Sequence, residues 1–400
     1  MTGRLLVLNA GSSSLKFALF DQGAQPVRVA AGNLSRIGSA PWITLRIGDE
    51  VTQDRSAAEG RIDLRTAAAL VFDALDAEGL FGRICAVGHR VVHGGAKFTA
   101  PVRLDASVLG QLEALVPLAP LHQPHNLAIV NFAGERLPHA VQIGCFDTAF
   151  HAQRPRIDTL YPLPRDLSEQ GLIAYGFHGL SYAHIAARLR ELDGEKAGGR
   201  AIVAHLGSGS SLCAMENGAS MATTMGFSAL EGLMMATRCG SIDPGILLHM
   251  IEAKGMTVPQ ISDLLYSRSG LLGVSGISGD MQVLIESDAP EAREAIDLFI
   301  YRTGRAIGSL AAVLSGLDTL VFTAGIGENS AAIRQRLGNA SAWLGVQIDT
   351  DANRRGDAVI SPPGSAVMVY VIPADEELAI AEGMLACLQT CIDPGDHSVR

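Results

Sequence analysis

Apolar and polar positions fall in short blocks along this chain, and the first block sets a pattern that returns later. Leu5 to Leu8 and Phe17 to Phe20 are apolar runs flanking a polar turn of Gly11, Ser12, Ser13 and Ser14, which predicts a β-hairpin. Residues 201–218 repeat the arrangement as apolar run, Gly/Ser tip, apolar run and turn. Setting Ser13-Ser14-Leu15 on Ser210-Ser211-Leu212 gives an offset of 197 in a chain of 400 residues. The chain therefore reads as two related halves, each offering a hairpin tip to a cleft between them.

The remaining pattern is that of an α/β protein. Strand-like pieces, Trp42 to Ile47 among them, follow the first hairpin, and residues 64–79 carry apolar positions at helical spacing. A strand from Ile84 runs into GHRVVHGG, residues 88–95, and a helix is expected over 106–116. Three prolines in 117–126 predict a rigid loop carrying His122 and His125. A strand over 140–146 ends at Asp147; residues 161–180 read as irregular; a helix over 181–192 has Ser181 as its N-cap. Residues 223–245 read as a loop holding Arg238 and closed by Asp243-Pro244-Gly245. A long amphipathic helix covers 292–314, and a buried strand, Thr319 to Thr323, enters the Gly-rich turn AGIGENS, whose Ser330 caps the next helix. A last strand, Val369 to Ile372, precedes a helix opened by Asp375-Glu376-Glu377 and running to about Gln389.

Composition narrows the function. A 48% hydrophobic content supports two cored domains, and 18% charged residues argue against disorder. The formal charge of −10 argues against non-specific nucleic-acid binding, so an anionic ligand would need local cations. No apolar run approaches the length of a membrane span, and Arg4 is followed by too short an apolar run for a signal peptide, so a cytoplasmic protein is expected. Cysteines 85, 145, 213, 239, 387 and 391 lack metal-ligand spacing and read as reduced core thiols.

Several stretches carry chemistry. A Gly/Ser tip by itself mostly just closes a hairpin, yet short side chains also let amides and hydroxyls approach an anion, and Lys16 adds a charge. Arg90, among two histidines and three glycines, presents a planar double donor, with a structural ion pair as the alternative. Asp147 ends a strand where α/β folds keep their chemistry. No GxxxxGK[ST] occurs, and GIGEN does not fit GxGxxG, so a P-loop is excluded.

With these pieces placed, the chain resembles the acetate kinases, the acetokinase family of the acetate and sugar kinase, Hsp70 and actin superfamily. NAGSSSLKF, GHRVVHGG, FDTAFH, YGFHG, HLG.G.S, MGF..LEGLMM.TR.G.IDPG, FTAGIGEN and P..EEL occur here in the family's order, spanning about residues 5–385. The resemblance implies a duplicated actin-like ATPase fold, ribonuclease H-like in each half, with a cleft between the domains. The first would hold residues 1–148 and 376–400, the second 149–375.

The resemblance also implies roles. Asn9 and Glu376 would serve Mg²⁺, with Mn²⁺ as a substitute, and Ser12, Ser14 and Lys16 would lie near the phosphates. Arg90 and Arg238 would flank the acyl phosphate, His178 would contact the phosphoryl group in flight, Asp147 would position metal or substrate, and His122 would lie nearby. Val92, Leu121, Phe177 and Ala229 would line the acyl pocket. The nucleotide would be held by His205, Leu206, Gly207, Ser208 and Gly209, by Asp280, Met281 and Gln282, and by Gly325, Ile326, Gly327, Glu328 and Asn329. Three positions depart from the family's habit: Ser208 stands for Asn, Ala229 for Pro and Gln282 for Arg. Ala229 removes bulk and makes propionate the competing substrate. The implied reaction is reversible transfer of the ATP γ-phosphoryl group to acetate by a homodimeric, cytoplasmic enzyme with no nucleic-acid or membrane partner. A nucleotide switch of the actin type is the alternative from another class, disfavoured because a switch needs no cations around a small acyl pocket.

Overall fold

Both repeated blocks fold as antiparallel hairpins, and each seeds a sheet. The computed structural model describes residues 3–11, 13–194 and 198–389, and the chain divides into two compact units, 1–150 with 375–400, and 151–374. Ser12 and Cys391 lie outside the described residues.

In the first unit the strands are β1 (Arg4–Ala10), β2 (Leu15–Asp21), β3 (Val27–Ser35), β4 (Trp42–Ile47), β5 (Glu50–Ser56), β6 (Ile84–Val91), β7 (Val102–Arg103) and β8 (Val141–Phe146), in sheet order 5-4-3-2-1-6-8-7. Strands β1 to β5 pair antiparallel in succession, and β6 and β8 continue the sheet parallel to β1. The edge strand β5 is polar and largely exposed, which suits an edge open to water. Leu6, Leu8 and Ala10 share a core with Phe72 of helix Leu64–Ala77 and Ile129 of helix Gln123–Arg136. Helix Glu376–Gln389 returns to this unit against β1, β6 and β8, burying Ile380 and Met384.

The second unit contains β9 (Arg200–Leu206), β10 (Ser210–Glu216), β11 (Ala219–Thr223), β12 (Thr319–Thr323) and β13 (Met368–Val371), in sheet order 11-10-9-12-13. Again three antiparallel strands are followed by two parallel ones, so 11-10-9-12-13 matches 3-2-1-6-8 of the first unit pair by pair. This is the duplicated actin-like ATPase fold that the resemblance implies. Ala10↔Leu15 closes the first hairpin and Leu206↔Ser210 the second. The offset is therefore 196 on the first strand and 195 on the second, not 197, because the second tip is one residue shorter. Helix Pro290–Val313 packs Phe299 and Ile307 onto this sheet.

Local expectations needed correction where a polar residue found a tertiary partner. The AGIGEN stretch is a short helix, Ala324–Asn329, not a turn, although Ser330 does cap the next helix. Ser181 is not an N-cap: its helix begins at Gly179, and its hydroxyl instead meets His205 Nδ1 at 2.9 Å. The proline-rich loop gives way to helix at Gln123, with Pro124 in the first turn, where a missing N–H costs nothing. Asp243-Pro244-Gly245 likewise starts a helix, Pro244–Glu252, with Asp243 accepting from Gly245 N at 2.8 Å. Irregular residues 161–180 include a short helix, Arg165–Glu169. Of the cysteines, 145 and 213 are buried, whereas 85, 239 and 387 are half-buried.

Gly32 lets β3 approach its neighbours closely. A Cβ there would overlap both the Phe17 ring and the Thr44 carbonyl oxygen. Gly32→Ala should lower the unfolding free energy by about 1–3 kcal/mol through overpacking. Urea unfolding of the two proteins checks this, and an unchanged midpoint would contradict it.

Candidate active site

The first unit concentrates charge at the ends of its central strands. Arg90, near the end of β6, forms a forked ion pair with Asp147, which follows β8: Nη2 to Oδ2 is 2.7 Å and Nε to Oδ1 is 3.0 Å. Arg90 Nη1 also donates to Asn9 Oδ1 at 3.3 Å, and Asn9 Nδ2 donates to Glu376 Oε2 and Glu377 Oε1, both at 2.9 Å. The two helix-start acids are thus not merely dipole complements; the side-chain amide of β1 ties both of them to Arg90.

Burial works against the Arg90 charge, but Asp147, Glu376 and Glu377 outweigh it and hold the guanidinium proton more tightly than usual. Burial also pushes the Asp147 carboxyl up, and Arg90 opposes that push. Because a guanidinium keeps its proton in proteins, the pair stands as an ion pair near neutral pH. Burial and the Glu376 charge raise Glu377, while Lys16 and the Asn9 hydrogen bond draw it down. Three carboxylates thus face two cations.

This donor set fits a hard divalent cation. Mg²⁺ favours one or two carboxylates plus phosphate and water oxygens over an all-protein cage, and among the described residues no group of three or more His, Cys, Asp or Glu is arranged to hold a metal. Glu376 and Glu377 meet that requirement. Asn9 turns its oxygen to Arg90 and its NH₂ to the acids, so in this arrangement it orients carboxylates.

The neighbouring loop is held from beneath. Asn126 Oδ1 accepts from Val92 N at 3.0 Å while its Nδ2 donates to Ala10 O at 3.2 Å, and Gln123 bonds both the N–H and the carbonyl of His93. Val92 is buried, His122 is half-buried just before the helix, and Leu121 is 46% exposed. Ser14 is half-buried at its tip and Lys16 is exposed.

In the second unit the segment 174–178 has no regular structure, and buried side chains fix it. Arg154 donates to the carbonyls of Ala174 at 2.7 Å and Tyr175 at 3.0 Å, and His151 Nε2 donates to Phe177 O at 3.0 Å. His178 follows in a left-handed conformation, φ 59°, with its Nδ1 2.8 Å from Ser211 Oγ and its ring stacked on His205 at 4.2 Å. Such a backbone is costly for a non-glycine residue and marks a constrained site.

Arg238 lies in a loop made rigid by its backbone. Ala236 N bonds Ser208 O, Leu271 N bonds Met235 O, Cys239 N bonds Leu265 O and Ser241 N bonds Gly232 O. The side chain is turned by a bond from Nη1 to Ala229 O at 3.0 Å. Gly209 marks where His178 and Arg238 converge: a Cβ there would stand 3.1 Å from His178 Nε2 and 3.8 Å from Arg238 Nη1. A glycine leaves room for a ligand between them.

Beside them opens a cavity of about 480 Å³. Gly207, Ser208, Asp280, Met281, Gln282, Gly325, Ile326 and Asn329 line it, together with Ala236, Gly279, Ile285 and Ser330, which the motifs did not single out. Its mixture of apolar side chains and small polar groups suits a nucleoside. Other expected nucleotide residues are placed differently. The Leu206 side chain is fully buried in the core, Gly327 is buried, and Glu328 Oε1 accepts from Ala374 N at 2.9 Å. His205 faces His178, as Gly209 does. Asp280 spends its carboxylate capping Gln282 N at 2.8 Å, and Gln282 donates to Glu286 at 2.5 Å.

A sequence profile of the acetokinase family matches residues 4–382. The chain belongs to the acetokinase family. An acetate kinase of Rhodopseudomonas palustris strain TIE-1 is 50% identical over 388 residues, covering 95% of this chain and 97% of that one. Among solved structures, Porphyromonas gingivalis acetate kinase superposes with a TM-score of 0.84 at 36% identity, covering 96% of this chain and 100% of its own. A propionate kinase of Francisella tularensis superposes at 0.87 and 34% identity, covering 95% and 98%. The acetokinase family is a kinase family, which accords with a nucleoside-sized cavity beside a cationic cluster.

Family motifs pointed to Arg90, Asp147, His178 and Arg238 but left out their supports: Asn126, Gln123, His151, Arg154, Ser211, Tyr182 and Glu377. Of these, His151, ending FDTAFH, Ser211, ending HLG.G.S, and Glu377, in EEL, lay inside a quoted motif, and only proximity in sequence could have flagged them.

Burial pushes the His89 ring down to about 4 and the His151 ring to about 3, so both are neutral in the folded protein. Unfolded, they titrate near 6.5, so below that pH the unfolded chain binds more protons. The stability they contribute is complete above about pH 6.5 and is lost as pH falls toward the folded values. Urea unfolding at pH 7, 6 and 5 should show a loss of about 2 kcal/mol per ring over that range. A flat profile would contradict two buried neutral rings.

Proposed function

We propose that the protein is an acetate kinase, transferring the γ-phosphoryl group of ATP to acetate to give acetyl phosphate and ADP, reversibly and with Mg²⁺. The observation that carries this reading is the convergence of Arg238 and His178 over Gly209, in a chain whose residues 4–382 match the family. The relatives named acetate kinase support acetate as the acid.

Acetate is ionised at neutral pH, so the nucleophile needs no general base. A carboxylate oxygen attacks the γ-phosphorus in line, the bond to the β-phosphate oxygen breaks, and ADP leaves; no phosphoenzyme forms. Such transfers are governed by positioning and by stabilisation of the equatorial oxygens. Arg90, kept straight by Asp147, binds the acetate carboxylate and one equatorial oxygen. Arg238 and His178 donate to the others beside Gly209. Ser208 and the residues of the 480 Å³ cavity hold the nucleoside and its phosphates. Glu376 and Glu377 would hold Mg²⁺, with Mn²⁺ as a substitute; when bound, the ion neutralises charge on the β- and γ-phosphates. Lys16, Ser12 and Ser14 serve the same phosphates.

By the family resemblance, Val92 and Leu121 of the first unit and Phe177 and Ala229 of the second are assigned to the acyl group. Ala229 supports the second reading, a propionate kinase, as does the likeness to the Francisella tularensis propionate kinase. One methylene in a hydrophobic pocket is worth about 1–3 kcal/mol, so propionate should be the second-best acid. The protein is further proposed to work as a cytoplasmic homodimer. Helix Pro244–Glu252 has no buried residue although Ile246, Leu248 and Ile251 lie on it, which suits a face covered by a second copy.

Coupled assay of ADP release with acetate, propionate and butyrate tests the assignment. Acetate should give the highest kcat/KM, and Arg238→Ala should lower kcat about 10³-fold. Preference for propionate would move the substrate and keep the mechanism, whereas ADP release independent of any acid would favour a nucleotide switch. Stereochemical inversion at a chiral γ-phosphorus is expected, and retention would exclude direct transfer.

A further inference from the structure

Glu231, inside the motif that runs from Met225 to Gly245, takes no part in the proposed transfer. It lies two residues after Ala229, in the segment joining β11 to helix Pro244–Glu252, where the chain has no regular structure. Its carboxylate accepts from the Tyr161 hydroxyl, and Tyr161 Oη in turn accepts from Phe227 N at 2.8 Å. The phenol therefore joins the two shoulders of a turn whose crown is Ala229. That crown matters to the site, because Ala229 O accepts from Arg238 Nη1 at 3.0 Å.

We propose that Tyr161 and Glu231 are positioning residues that brace turn 226–232, so that the Ala229 carbonyl stays where it aims Arg238 and residue 229 can discriminate between short acids. The inference rests on the acetate kinase reading for what Arg238 and Ala229 touch; the brace itself stands on hydrogen bonds within the second unit.

Donors and acceptors leave one arrangement. An amide N–H can only donate, so the phenolic oxygen accepts from Phe227; an ionised carboxylate can only accept, so the single phenolic hydrogen goes to Glu231. Bonds to a charged acceptor are the stronger kind. Burial, then the hydrogen bond and charge of Glu231, hold the Tyr161 proton above its ordinary range, which keeps the phenol a donor. Gly226 shows how closely the pair is fitted: a Cβ there would overlap both Tyr161 Oη and Glu231 Oε2. The ends of the turn are tied separately. Gly226 O accepts from Tyr175 N at 2.9 Å and Gly176 N at 3.1 Å, while Gly232 and Ser241 exchange bonds of 2.9 and 3.1 Å. Between those ends, Ser228 Oγ accepts from Leu230 N at 3.3 Å within the turn, whereas the phenol reaches in from 66 residues earlier in the chain. Its own segment is fixed by Ala174 N donating to Thr159 O at 2.8 Å. Without the phenol the crown loses its outside support, and a shift of about 1 Å in the group that aims an arginine costs up to about 10²-fold in rate.

Steady-state kinetics of the full-length protein with acetate and with propionate test the brace. Tyr161→Phe should lower kcat with acetate about ten-fold, leave KM for ATP within about two-fold, and raise the propionate-to-acetate ratio of kcat/KM about three-fold. Glu231→Ala should do the same, whereas Glu231→Gln, whose amide oxygen still accepts the phenolic hydrogen, should stay within about three-fold of the wild type. Because the two side chains act as one unit, Tyr161→Phe combined with Glu231→Ala should match either single variant within about two-fold. A folded Tyr161→Phe with the wild-type kcat and acid ratio, even at a lowered Tm, would make the pair merely structural and overturn the proposal; so would effects that multiply independently. If Tyr161→Phe fails to fold, equal kcat in Glu231→Ala and Glu231→Gln would overturn it instead. Amide exchange separates the brace from the functional reading: the Phe227 N–H should exchange at least about five-fold faster in Tyr161→Phe or Glu231→Ala than in the wild type. Unchanged exchange would remove the brace. Absence of acetate-dependent ADP release in the wild type would sink the acetate kinase reading and with it the kinetic role, while exchange would still judge the brace.

Discussion

A buried charge must be paired, and the first unit is arranged around that constraint. Arg90 cannot shed its proton, so folding brings Asp147 against it in a fork and sets Asn9 to pass its influence on to Glu376 and Glu377. Those five residues come from β1, from β6, from the residue after β8 and from the last helix. One guanidinium thereby fixes where three strands and the C-terminal helix must end relative to one another. The same network aims Arg90 and gathers carboxylates in a donor set that suits Mg²⁺.

The second unit uses an equivalent frame for different chemistry. Asn9 and Lys16 form a cross-strand pair one step from the tip of the first hairpin; His205 and Ser211 occupy that place in the second. Where the first unit has carboxylates and a guanidinium, the second has hydrogen-bonded imidazoles and hydroxyls: His205 with Ser181, and Ser211 with His178 and Tyr182. Duplication thus supplied two hairpins of matching strand pairing, and substitution at matching positions divided the labour between them. Local low dielectric makes both arrangements strong only because each polar group is satisfied.

Irregular segments carry the remaining chemistry, and each is held by hydrogen bonds to other parts of its unit. The Arg238 loop is tied by backbone bonds to residues 265–272 and to Ser208, and the segment before His178 hangs from Arg154 and His151. Rigid placement matters because an arginine displaced by about 1 Å loses much of its value to a transition state. Buried polar side chains to which the motifs assigned no role therefore act as the scaffold of the motif residues.

The strand pattern, the two hairpins and the long helix were legible in the amino-acid sequence, because they depend on neighbours two to four residues apart, and so was the cap at Ser330. Eight short motifs in family order likewise determined the family and named Arg90, Asp147, His178 and Arg238. Tertiary structure alone decided the partners: that Asn9 orients acids, that Ser181 serves His205 instead of capping a helix, that Glu328 turns to a backbone amide, and that AGIGEN coils into a helix. The reason is physical. Periodicity and capping are local, whereas the satisfaction of a buried polar group depends on residues hundreds of positions away, as Asn9 and Glu376 are, and no local pattern encodes that distance.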